Sequence, residues 1–198
     1  MISLITGESV LHENDFDFNS PVPFNWTRNY FSHVHRKTMW HFNYDQYVRI
    51  DRKEDSFFWQ NDNGNIVEIP YLPIGETAVI TEEQIIYTHL GKTVLIEDYG
   101  KKLFYHYEHV GGDKTIYRLV KITRHRFEIQ FFYGPTGRLE QIIDASNRVL
   151  SIERDKQQRI ISVTQLSKVE NNKLLVEYEY NEEGYLSVAC LLYTSPSP

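Results

Sequence analysis

Alternation with period two is the feature that most constrains this chain. Phe42, Tyr44, Gln46, Val48 and Ile50 alternate with His41, Asn43, Asp45, Tyr47 and Arg49, which predicts a half-buried strand over 41–50. The charged run 51–55 follows as a turn, and Ser56–Gln60 reads as the next strand. Asn63-Gly64 is a hairpin signal with positive φ expected at both positions, and Ile66–Ile69 is the returning strand before Pro70 and Pro73 break the ladder. The same rhythm continues through 84–90, 93–97, 102–110, 115–123 and 126–133, with Gly91 and Gly111-Gly112 at turns. Thr81–Gln84 resembles a capping box, but β-branched residues follow, so at most one helical turn is expected there. Short strands with turns every few residues predict an all-β meander of antiparallel strands.

Composition excludes the main alternatives. Fourteen Tyr and eleven Phe with only ten Gly and seven Pro do not fit a disordered or collagen-like chain. Lys and Arg number 21 against 27 Asp and Glu, a formal charge of −6, so nucleic acid is not an expected partner. No stretch has the length of an apolar membrane span, and Met1–Val10 lacks a signal-peptide pattern. One cysteine, Cys190, gives neither a disulfide framework nor a cysteine zinc site.

The last third carries a repeat. Its anchors are Gly137-Arg138-Leu139, Asn147-Arg148-Val149, Gln158-Arg159-Ile160 and Gly184-Tyr185-Leu186. Each is a turn residue, usually a basic residue, and an aliphatic that starts the next strand. Gly137, Asn147 and Gly184 stand where a tight hairpin needs positive φ. One such unit cannot bury its own apolar face, whereas stacked units can.

These residues resemble YD repeats. Tyr180–Leu186 carries the pattern with Asn181 for Asp and Tyr185 for Arg, and Tyr133–Leu139 carries it with Gly134 for Asp. Earlier landmarks resemble the domain that opens Rhs-family proteins: Thr6-Gly7, then the run Pro21–Tyr30 with Trp26, Arg28 and Tyr30, then Trp40 and Tyr44-Asp45, then Asp62–Asn65. The chain departs from the family at Lys37–Met39, which replace glycines, and at Phe42, where a histidine is expected. The resemblance covers about residues 3–188. It implies a domain of the Rhs N-terminal type over 1–125 and the first YD-like repeats over 126–189. Rhs proteins build a hollow β-shell that encloses a C-terminal toxin released by self-cleavage. The expected function is therefore a non-catalytic wall segment used in competition between bacteria. Its partners would be the rest of the shell, the enclosed toxin, secretion-machine proteins and an immunity protein. The expected location is the bacterial cytoplasm before export, then secreted or at the cell surface. A cell-surface YD-repeat module contacting carbohydrate or neighbouring cells is the alternative, and a carboxylate hydrolase is a third. The string Cys190–Pro198 (CLLYTSPSP) resembles a translated sequencing adapter, so 190–198 is expected to be a non-native tail.

No catalytic, cofactor or metal residue is expected. His33 and His35 share a strand face near His41, but no acidic or cysteine partner has metal-ligand spacing. His106 and His109 should point to opposite faces. Lys121 with Arg124-His125-Arg126 reads as a solvated basic face. Asp15/Asp17 and Glu82/Glu83 lack an established catalytic separation. No nucleophile elbow or phosphate loop occurs. Trp26, Arg28 and Tyr30 share a strand face, so Arg28 is expected to be clamped between these two aromatic rings and to stabilise the fold.

Overall fold

The computed structural model describes residues 10–31, 40–51, 53–111 and 113–192, and every regular element among them is a β-strand. The fold is all-β and antiparallel. Strands β1 (Val10–Phe18), β2 (Phe24–Phe31) and β3 (Trp40–Phe42) form a small three-stranded sheet. The later strands form one sheet of fourteen. Its spine is a meander in which each strand pairs with the one before it. The strands are β7 (Thr77–Ile80), β8 (Ile85–His89), β9 (Thr93–Asp98), β10 (Leu103–His109), β11 (Ile116–Arg124), β12 (Phe127–Tyr133), β13 (Leu139–Ile143), β14 (Val149–Arg154), β15 (Ile160–Leu166), β16 (Lys173–Tyr180) and β17 (Leu186–Leu191).

The sheet forks at β11. The start of β11 pairs with β4 (Tyr47–Asp51), through Tyr117 opposite Val48, while its end pairs with β12, through Ile122 opposite Ile129. Strand β4 leads to β5 (Ser56–Gln60) and β6 (Ile66–Pro70). This branch folds back over the meander. Phe57 of β5 lies 5.3 Å from Tyr87 of β8 and 5.1 Å from His89. Trp59 donates to the Tyr107 hydroxyl at 2.9 Å, and that hydroxyl donates to Gln46 at 2.8 Å. The small sheet covers the other half of the meander, where Phe42 of β3 lies 5.4 Å from Tyr178 of β16 and Tyr44, just after β3, lies 5.1 Å from Phe131. The core is the layer between these faces. Alternation delivers it: Ile85, Tyr87, Val94, Ile96, Tyr105 and Tyr107 are buried in period-two order.

Two local expectations need correction, at 41–50 and at 63–64. The strand expected over 41–50 is two strands in two sheets, β3 and β4. Asn43 breaks it, because its side chain accepts from Thr27 N–H at 3.1 Å and donates to Asn25 C=O at 2.8 Å. Gln46 then donates to the Asn43 carbonyl at 2.8 Å, stabilising a turn rather than a ladder. At 63–64 only Gly64 has positive φ, at 82°. Asn61 accepts from the backbone N–H of both Asn63 and Asn65, which makes the connection longer than a two-residue turn. Residues 81–84 form a plain turn between β7 and β8, with Gln84 at φ 57°. Strand β7 has no counterpart in the sequence reading.

His106 on β10 contacts Thr123 at 3.2 Å. Burial and then nearby Lys121 push its imidazole below the ordinary value of 6.5, against the opposing pull of Glu128. The unfolded chain therefore takes up the proton first as pH falls. This contribution to stability is complete above about pH 6.5 and declines as pH falls toward the lower folded-state value. We expect the melting temperature to fall between about pH 7.5 and about pH 5, and His106→Gln to flatten that slope. An identical slope in the variant would exclude His106 as its source.

Candidate functional site: repeat turns and the sheet junction

Five connections share one backbone design. In each, the first residue donates its N–H to the carbonyl four residues on, and the fourth residue donates to the carbonyl of the first. They run 61–65, 134–138, 144–148, 155–159 and 181–185. The fourth residue always has positive φ: Gly64 (82°), Gly137 (71°), Asn147 (62°), Gln158 (67°) and Gly184 (88°). Glycine and asparagine suit this position, while Gln158 occupies it at a steric cost on the order of 1 kcal/mol. In the last third the following aliphatics Leu139, Val149, Ile160 and Leu186 begin β13, β14, β15 and β17, as the repeat requires.

The first side chain locks the turn. Asp144 accepts from the N–H of Ser146 (2.9 Å) and Arg148 (2.8 Å), and then from Arg148 Nε (2.8 Å) and Nη2 (2.7 Å). Asp155 does the same with Arg159: backbone N–H at 2.9 Å, Nε and Nη2 at 2.6 Å. Burial raises the Asp155 carboxyl, but the hydrogen bonds from Arg159 outweigh it and hold the group below its ordinary range. Asn181 keeps the backbone half of the design, accepting from Tyr185 N–H at 2.8 Å. Gly134 has no side chain to offer.

The residue before the turn is a cross-strand tie. Tyr133 donates its hydroxyl to the Leu119 carbonyl of β11 at 2.7 Å, and Tyr180 donates to the Ile160 carbonyl of β15 at 2.8 Å. Burial pushes the Tyr180 phenol up to about 12, so this donor keeps its proton at neutral pH. Thus each part of the pattern Tyr, Asp, Gly/Asn, Arg has a mechanical role: hydroxyl tie, turn lock, positive φ, ion pair.

The small sheet joins the meander at a buried charge. A β-bulge between Asn14 and Phe16 leaves Asp15 without a ladder partner opposite it on β2 and turns both Asp15 and Phe16 into the core. Asp15 accepts from Arg28 Nε at 2.8–2.9 Å and from the Tyr178 hydroxyl of β16, which in turn accepts from Trp26 Nε1 at 2.9 Å. The Arg28 guanidinium lies 4.7 Å from the Trp40 ring and 5.7 Å from the Tyr178 ring. The aromatic clamp therefore exists with different jaws from those expected. Trp26 is fully buried and serves as a donor, while Tyr30 packs on Trp40 at 5.2 Å. The bulge decides this, because it brings the carboxylate under Arg28. Tyr44 sits in the same cluster, 5.2 Å from Phe24.

A second tie involves a repeat turn. Arg148, held by Asp144, lies 4.0 Å over Phe18 and donates to the Asn19 carbonyl at 3.3 Å. A meander turn thus grips the end of β1. Sequence reading missed Asp15, Asp144, Asp155 and Tyr178 as working residues. Asp155 and Asp144 could have been found from their constant position four residues before an arginine; the β16–β1 contact had no sequence signal.

The remaining candidates fall apart as sites. Asp17 is exposed while Asp15 is buried in its ion pair, and Glu82 and Glu83 are exposed. His106 and His109 have separate partners, Thr123 and the Ile116 carbonyl. Lys121 pairs with Glu128 at 3.6 Å, and His125 holds the β11–β12 turn at φ 54°. His33 and His35 lie outside the described residues. Among the described residues no group of three His, Cys, Asp or Glu is placed to hold a metal ion. No helix among them is long and apolar enough to cross a membrane, which says nothing of β-barrels.

The arrangement defines an all-β meander with recurrent turn locks, onto which an N-terminal three-stranded sheet is pinned by a buried ion pair. Residues 1–68 match a family model described as a domain of unknown function (DUF6531). The match spans the small sheet, β4, β5 and most of β6. No curated protein matches the chain.

Proposed function

We propose that this chain is a non-catalytic wall segment of an Rhs/YD-repeat shell, which contains a toxin rather than reacting with a substrate. The observation that carries this reading is the recurrent turn lock. It lets successive strands add to one sheet with the same local geometry, which is how a repeat wall grows. The small sheet and the β4–β6 branch would then seal the first part of the wall. A shell of this kind needs a free strand edge for the next repeat. Among the described residues strand β17 pairs only with β16, and it exposes Val188 (44%).

The direct test is to read the source DNA beyond the Ala189 codon. Continuation into further Tyr-Asp and Gly-Arg repeats and a distinct C-terminal domain is the expected result. An anchor in that place would favour the cell-surface module, and a natural stop after Pro198 would overturn the shell reading. A second test is physical. The chain as given should self-associate with rising concentration, and Val188→Lys, which places a charge on the open edge, should shift it to monomer in sedimentation experiments. Equal mass distributions for the two proteins would remove β17 as the sticky edge.

A further inference from the structure

Three departures of the repeat from its own pattern meet in one place. Antiparallel meander turns fall on alternate edges, so turns 134–138, 155–159 and 181–185 share an edge, each about 10 Å from the next. Between them and Trp40 of the small sheet lies a cleft of about 230 Å³. Its charged lining is Arg138, Arg154, Arg159 and Asp45, and Tyr180 and Tyr185 supply further aromatic walls beside Trp40.

Arg159 is the regular member. Asp155 neutralises it, and it stacks 4.4 Å over Tyr180. The other two arginines are there because the pattern fails. Arg138 has Gly134 where the related turns carry Asp144 and Asp155, so its own turn gives it no carboxylate, and it makes no ion pair among the described residues. Arg154 stands immediately before its turn, where Tyr133 and Tyr180 stand before theirs. It donates Nη1 to the Gln158 carbonyl at 2.9 Å, while its Nε is buried with no hydrogen-bond partner among the described residues. Burial is the largest effect lowering the Arg154 pKa, and nearby Arg138 and Arg118 add to it; Asp45 opposes them. A third departure puts Tyr185, not arginine, on the rim. The three changes bring to a single cleft two guanidinium groups that make no ion pair among the described residues, and one aromatic ring, in a chain of net charge −6. Guanidinium forks bind carboxylate and phosphate oxygens, and the rings favour a flat apolar neighbour.

We propose that this cleft binds a small ligand carrying an oxyanion, carboxylate or phosphate, on a flat apolar group. The inference goes beyond the wall reading and stands whether or not that reading holds. The probes are benzoate and phenyl phosphate, titrated by calorimetry into the full chain carrying Val188→Lys, at fixed ionic strength. Saturable binding of one ligand per chain is expected. Binding of benzoate alone would assign the site to carboxylates, and binding of phenyl phosphate alone to phosphates. Arg138→Gln should weaken binding about tenfold. Gly134→Asp supplies the missing turn carboxylate and should weaken it similarly while keeping the fold. The atoms nearest its added Cβ are those of the Glu140 carboxyl end, an exposed group that can swing away. Arg126→Gln, on the opposite edge, should leave binding unchanged. Absence of saturable binding by both probes would overturn the proposal. So would equal affinity in the parent, Arg138→Gln and Gly134→Asp proteins.

Discussion

Arg28→Ala is expected to cost about 3–5 kcal/mol of folding stability, because it strands the Asp15 carboxylate in the core. Asp15 is 4% exposed and Arg28 8%, so water cannot replace the lost partner. In a domain of this size the melting temperature should fall by about 10 °C. The loss is not simply the worth of the ion pair. It includes the Tyr178 and Trp26 hydrogen bonds that Asp15 organises across the two sheets. A double-mutant cycle separates these contributions. Asp15→Asn with Arg28→Met removes both charges and should recover part of the stability lost in either single variant. A melting temperature unchanged in Arg28→Ala would show that the junction does not hold the small sheet.

Asp144→Ala is expected to cost about 2–4 kcal/mol. The carboxylate is fully buried and satisfies two backbone N–H groups and two guanidinium nitrogens. Its loss frees Arg148 from the turn and from the β1 end that Arg148 grips. Chemical denaturation should show the drop, and amide exchange should speed up at Ser146, Arg148 and Asn19. Asp155→Ala should cost less, about 1 kcal/mol, because no hydrogen bond or ion pair among the described residues ties that turn to the small sheet. Equal costs at the two positions would mean that the tie to β1 carries no energy.

How far the sequence could be read differs by element. The strands from β8 to β12 lie within a residue or two of the alternating runs, because one face is buried and the other meets solvent along each strand. The positive-φ residues Gly137, Asn147 and Gly184 were legible because few residue types tolerate that backbone. Gln158 was legible only through its register with the others. The break at Asn43 was not, since alternation continues straight through it. There the decision belongs to hydrogen bonds with Asn25 and Thr27, which are remote in sequence.

The candidate site divides in the same way. Periodicity, turn residues and the recurring arginines by themselves determined an all-β meander with repeated hairpins, since these are local properties of the backbone and of side chains a few residues apart. Tertiary structure alone decided which aromatic rings clamp Arg28, that a bulge drives Asp15 inward beneath it, and that Arg138, Arg154 and Tyr185, from three irregular turns, line one cleft. Those outcomes depend on contacts between residues up to 163 positions apart, such as Asp15 and Tyr178, and no local pattern encodes them.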